Sequence, residues 1–484
     1  MSKELPKCGM RPRSRWKLFT LLASVPLLWV CAVSAASSLA EANWPQWRGP
    51  LQNGVAPMAD PPVAWSETNN VKWKVKIPGS GRATPIIWGN QVFIQTGVPT
   101  GKKAEQPAAK ASLPAVFGLP MAADPPPENP PPRRRPGGPG GPGGGMRGAK
   151  PTEPYQCVLL CLDRQTGKTL WQKIAREEIP HEGHHPDGSF ASYSPVTDGK
   201  LVFAYFGSRG LHCYDMNGKL QWTQNFGQQR IAMGFGEGSS PALHGDTIIV
   251  NWDNEADSFI IALDKNTGKT LWKETRDERT SWSTPLVVEH DGKAQVITAA
   301  TRKIRSYDLA SGKLIWECGG LTPNVIPTPV AGDGMVYPIS GFRGNALLAI
   351  KLGRTGDLTD TDAIAWRHNK STPYVPSPLL YGDKLYFFAG NNGVLSCFDA
   401  KSGNALVDAE RIEGLQGVYA SPVGAKGKVY LAGRNGVTVV LKNSDKLEML
   451  ATNRLDEKFD ASPAVAGKEL FLRGHESLYC IAQD

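Results

Sequence analysis

The residues best suited to chemistry lie between two prolines. His181-Glu182-Gly183-His184-His185 reads H-E-x-x-H, and Asp187 follows. On a helix that spacing puts two imidazoles on one face beside a general base, as in a zinc protease. Pro180, Gly183 and Pro186 deny this stretch a helix. What remains for His181, His184, His185 and Asp187 is a metal site on a loop, since imidazole suits zinc, copper or iron. The favoured reading of the stretch is a solvated polar loop between blades. A second set is scattered along the chain: Arg82, Tyr193, Glu237, Trp282, Asn324, Tyr374, Tyr419 and Asp460. Each stands shortly before a Ser/Thr-Pro step. If the fold gathers them, aromatic and polar groups converge as they do in a ligand pocket. No dinucleotide fingerprint, phosphate loop or nucleophile elbow occurs in a supporting context, so no catalytic residue is assigned.

The Ser/Thr-Pro steps reveal what must position these residues. They fall at Thr84, Ser194, Ser240, Thr284, Thr328, Ser377, Ser421 and Ser462, with intervals of 41 to 49 residues after a first interval of 110. A period in the forties marks a repeat fold. The clearest repeat, from Ser240 to Trp272, holds four short β-prone segments. Its third and fourth are joined by the turn Asp264-Lys-Asn-Thr-Gly268. Asp bonds its own backbone in such turns, and Gly accepts a positive φ. Four strands cannot cover both their faces alone, whereas sheets arranged around an axis can. The expectation is all-β: an eight-bladed propeller of four-stranded antiparallel blades over residues 43–484. Trp171, Trp222, Trp272, Trp316 and Trp366 would pack between blades. The eighth blade supplies only three strands before the chain stops. Val71–Ile77, with Trp73 at the outer-strand position, should complete it and close the ring.

Residues 1–42 read as a signal peptide or N-terminal anchor. Lys7 to Lys17 carry the basic residues, Leu18 to Ala36 the apolar run, and Ala40-Glu41-Ala42 a cleavage site. The chain is therefore expected in the periplasm or cell envelope. Residues 101–154, rich in Pro, Gly and Arg, should form a disordered insertion between the second and third strands of the first blade. Of the net charge of +9, residues 1–42 and 101–154 contribute +4 each, leaving about +1 on the body. That excludes a basic nucleic-acid stripe. The eight cysteines include no adjacent pair, and Cys161, Cys213, Cys397 and Cys480 recur at matching strand positions. They read as small buried hydrophobes rather than as disulfide partners.

The repeat Leu-Asp-x-x-Thr-Gly-Lys-x-x-Trp at 162–171 and 263–272 closely resembles the pyrroloquinoline-quinone-like (PQQ-like) propeller repeat. The opening Asn43-Trp-Pro-Gln-Trp-Arg-Gly-Pro50 is similar to the lead-in of exported planctomycete-type propellers. Two kinds of relative follow from the resemblance. Quinoprotein alcohol dehydrogenases hold PQQ and calcium in the channel, against a vicinal disulfide that this chain lacks. The outer-membrane assembly scaffold BamB has no cofactor. The resemblance therefore implies a non-catalytic exported scaffold or binding module with no cofactor. Its partners would be proteins or envelope components, and a membrane would be touched only through an N-terminal anchor. The alternative is a quinone- or metal-dependent oxidoreductase working at the channel mouth.

Overall fold

Eight sheets follow one another along the chain, and the period of the Ser/Thr-Pro step is the period of the sheets. The computed structural model describes residues 1, 42–102 and 148–483. The expectations for a signal peptide or anchor and for a disordered insertion fall mainly outside these residues. Among the described residues no helix is long and apolar enough to cross a membrane.

Blade 3 shows the unit. Ala242–His244, Thr247–Trp252, Ser258–Asp264 and Thr270–Arg276 pair antiparallel in chain order, from the axis outward. Blade 1 has the same order, and its second and third strands, Gln91–Pro99 and Tyr155–Asp163, flank residues 103–147. Blade 8 receives its fourth strand from the other end of the chain. Val71–Lys76 pairs antiparallel with Ser477–Ile481, with Val71 opposite Ile481 and Lys76 opposite Ser477. The ring is closed as the alternating Val71–Ile77 pattern predicts. Most described apolar side chains that are fully buried sit between neighbouring blades, in clusters that each span two or three sheets.

The tryptophans follow a rule that explains both their presence and their absence. Trp272 lies on the turn of the next blade, and its indole N–H donates to Leu309 O at 2.8 Å. Trp73, Trp171, Trp222 and Trp366 donate likewise to Arg164, Met216, Lys265 and Ala400 carbonyls. Each ring rests on the glycine that ends the turn. A Cβ on Gly312 would stand 2.7 Å from the Trp272 ring, at a φ of +74°. Gly312→Ala therefore meets both a left-handed backbone and a rigid aromatic wall. We expect it to cost about 3 kcal/mol in urea unfolding. Gly245→Ala, at φ +56° with open space around it, should cost about 1 kcal/mol.

Trp316 departs from the rule. Blade 5 replaces the glycine turn with the loop 352–363, whose Gly356–Asp357 adds a parallel strand to Leu314–Cys318 of blade 4. Trp316 is covered by that addition, and its N–H turns back to Gln295 Oε1 at 3.2 Å. Val407 faces a turn without glycine, and Met449 faces blade 8, which has no turn between its third and fourth strands. Tryptophan is missing where there is no glycine turn to receive it.

The hydroxyl of the Ser/Thr-Pro step has its own task. The backbone N–H of each anchor donates to the anchor hydroxyl of the next blade. Thr84 N reaches Ser194 Oγ at 3.0 Å, Ser194 N reaches Ser240 Oγ at 3.0 Å, and the series continues to Ser462 Oγ, with every bond at 2.9–3.1 Å. Seven joints are made this way. At the eighth, Thr84 Oγ1 donates to Ser462 O at 3.0 Å. A hydroxyl at this position satisfies an N–H that would otherwise be buried without a partner.

All six described cysteines are buried and free. Burial raises the thiols of Cys157, Cys161, Cys213 and Cys397 to about 12. The nucleophilic form is the thiolate. In a chain lacking residues 1–42, no thiol should react with a disulfide reagent at pH 8 until denaturant is added. A fast-reacting thiol in the native state would contradict this.

Candidate functional site

The propeller channel is closed on one side by the chain's own lead-in. Trp44 bridges Ile87 of blade 1, Pro45 O accepts from Thr197 N of blade 2, and Val55–Ala56 lies parallel to Val423–Ala425 of blade 7. Arg48, 3% exposed, donates to Pro378 O and Pro422 O of blades 6 and 7. Burial without a carboxylate partner lowers its guanidinium to about 9. Trp47, next to it, reaches Ser462 Oγ at 3.4 Å. The segment that looked in sequence like a mere lead-in is a plug.

Above the plug lies a cavity of about 750 Å³, within the ~300–1,000 Å³ range of small-molecule sites. Six of the eight residues expected at a channel mouth line it: Arg82, Glu237, Trp282, Tyr374, Tyr419 and Asp460. Tyr193 and Asn324 are not among the lining residues. Tyr193 is buried behind the wall and donates to Glu237 Oε2 at 2.6 Å. Burial, reinforced by the Glu237 charge, pushes its phenol well above the usual range. Asn324 adopts a left-handed backbone, φ 56°, in the loop before its anchor.

The acidic groups of the wall are all engaged. Glu237 accepts from Tyr193, from Ser208 N and from Arg209 Nη1 at 3.1 Å. Asp460 meets Arg82 Nε at 3.2 Å and His475 Nε2 at 2.8 Å. Asp187 meets Arg434 Nη2 at 2.7 Å and accepts from Tyr419 Oη at 2.9 Å. Burial would raise the Asp187 carboxyl, but the bonds from Arg434 and Tyr419 outweigh it and hold the group below the carboxylate range. Burial, with Asp187 beside it, raises the Tyr419 phenol to about 12.

The four proposed metal ligands do not converge. His181 Nε2 donates to Gln229 O, and His184 Nδ1 donates to His185 O, each at 2.7 Å. His185 Nδ1 accepts from Asp187 N at 3.1 Å. Glu182 accepts from Ile231 N instead of facing a metal. Among the described residues no three His, Cys, Asp or Glu are placed to hold a metal ion. The prolines prevent the helix that would align these rings, and each ring is used to brace the loop. His185 and Asp187 nonetheless line the cavity. The quinone–calcium pair implied by the dehydrogenase resemblance does not fit this donor set. Among the described residues no carboxylate cluster is free for calcium, and no two cysteines are adjacent in the sequence to offer a disulfide platform.

Sequence reasoning missed Asp253. The structure puts Asp253 in the interior, fully buried against Arg276, with bonds of 2.7 and 3.1 Å. Nothing local in the sequence links the two, since they meet only when blade 3 folds.

The family model for the outer membrane protein assembly factor BamB matches residues 157–404. No curated protein matches the chain. Among solved structures, the chain is similar to BamB from Moraxella catarrhalis at 16% identity, over 69% of this chain and 90% of that one, with a TM-score of 0.48. It is also similar to the computationally designed Ika8 protein at 13% identity, over 68% of this chain and 92% of that one, with a TM-score of 0.48.

Proposed function

The chain belongs to the PQQ-like propeller family of the outer membrane protein assembly factor BamB, and from that premise we propose that it is a non-catalytic binding module of the cell envelope. Family membership supports the envelope placement and the use of the propeller as a scaffold. One observation carries the non-catalytic reading: every carboxylate lining the mouth pocket is already held by an arginine. A general base must be able to take a proton from substrate. Carboxylates locked in ion pairs and bonded to phenols are poorly placed for that. The pocket itself is open, aromatic and blind, which suits holding a group rather than turning it over.

The test is direct. The full chain is incubated with pyrroloquinoline quinone and calcium, then assayed for a bound-cofactor absorption band and for dye-linked oxidation of alcohols and aldoses. Neither signal is expected. Turnover that disappears in a folded Tyr374→Ala variant would overturn the reading in favour of an oxidoreductase.

A further inference from the structure

The mouth pocket supports a narrower statement, which rests on the binding-module reading. Its floor is made of anchor hydroxyls: Ser194, Ser240, Thr284, Ser421 and Ser462 all face the cavity. Each already accepts the N–H of the preceding anchor. Ser462 also accepts the Trp47 indole. A hydroxyl has one proton and two lone pairs. With a lone pair fixed on the ring, its proton is the group best able to turn toward the cavity. Five such donors converge on one floor, and they favour a ligand rich in acceptors.

The rim adds charge. Arg343 lines the cavity and is exposed. Its guanidinium lies 5.1 Å from the Phe342 ring centre and makes no ion pair among the described residues. It thus differs from Arg82, which Asp460 engages. Arg343 and Met233 both hold left-handed backbones, φ 51° and 56°. Such angles are uncommon outside Gly, Asn and Asp, and here they occur on two lining residues. The walls offer flat apolar faces. Phe342 stacks on Tyr374 with centroids 5.0 Å apart, and Phe235 lies 6.5 Å from Trp282.

We propose that this pocket binds an acidic saccharide. The apolar face of a sugar ring would lie against the aromatic walls. Its ring and hydroxyl oxygens would accept from the anchor hydroxyls, and its carboxylate would pair with Arg343. A peptide brings roughly one backbone donor for each acceptor, which suits a floor of oriented donors less well. The shared chemistry is a uronate, either free or carried on an envelope polymer.

Isothermal titration of the full chain tests this with trigalacturonate, galacturonate, neutral maltotriose and a short peptide with a free C-terminus. Trigalacturonate or galacturonate should bind, with maltotriose at least about tenfold weaker, because the neutral sugar forgoes the charge-assisted bond. A tighter trimer indicates a polymer as the source, equal affinities indicate the free acid, and both support the proposal. Arg343→Ala should weaken the acidic sugars about tenfold and leave maltotriose unchanged. Its melting temperature should not move, because the side chain is exposed. Equal affinity for maltotriose, tighter peptide binding, no binding of either uronate at millimolar concentration, or no effect of Arg343→Ala would each overturn the proposal. A failed titration leaves the quinone assay untouched. Oxidative turnover would sink the module reading whatever the titration shows.

Discussion

A chain that begins at residue 78 should fail to form a monomeric ring, and Trp73→Ala should cost about 3–5 kcal/mol. The truncation removes Val71–Lys76 and leaves Ser477–Ile481 with an unpaired edge. An open edge is a template for another chain. Light scattering should therefore show oligomers or aggregate. The truncation also removes the plug, so the point substitution isolates the closure. Trp73 is 8% exposed, lies 5.9 Å from Phe471 within blade 8, and donates to Arg164 O of blade 1 at 2.9 Å. It joins the first and last blades as well as the two ends of the chain. A urea midpoint for Trp73→Ala equal to that of the parent would refute the closure argument.

The second large effect belongs to Asp253. Its carboxylate holds Arg276 through two bonds and accepts from Ser281 Oγ at 2.6 Å. Arg276 also donates to Thr298 and to the Tyr307 hydroxyl of blade 4. The Asp253 charge overcomes the desolvation of Arg276 and raises its affinity for the proton. Asp253→Ala strands a buried guanidinium and should destabilise by about 3–5 kcal/mol. Replacing both partners, Asp253→Ala with Arg276→Met, should recover a large part of that loss, because no charge is then left buried without a partner. If the double variant is no better than the single, packing rather than charge accounts for the effect.

What could be read from the sequence was whatever the repeat carries locally. Turns such as Asp264–Gly268 and the steps between anchors are encoded within a few residues, so blade number and ring closure followed from spacing. The outer strand of blade 6 carries Val407 where blades 1 to 5 carry tryptophan, so that strand had only its spacing to mark it. The mouth pocket was legible in part, because residues before an anchor are forced toward the axis. Arg82 and Asp460, far apart in sequence, meet for that reason. The remaining features depend on contacts that no repeat predicts. The plug, the Asp253–Arg276 pair and the Glu237–Arg209–Tyr193 group each join residues with unique partners. The histidine motif could be refused a helix from Pro180 and Pro186 alone, but where each ring would turn on the loop could not be read, because Gln229 and Ile231 bond it only in the folded chain.

The lead-in that seals the axis has a kinetic consequence. Among the described residues the lead-in covers one side, so a molecule held in the pocket would leave by the face through which it entered. Any protein seated over that face would slow entry and exit alike, so docking outside would set how fast a molecule exchanges and, without contacts of its own to that molecule, not how tightly it is held.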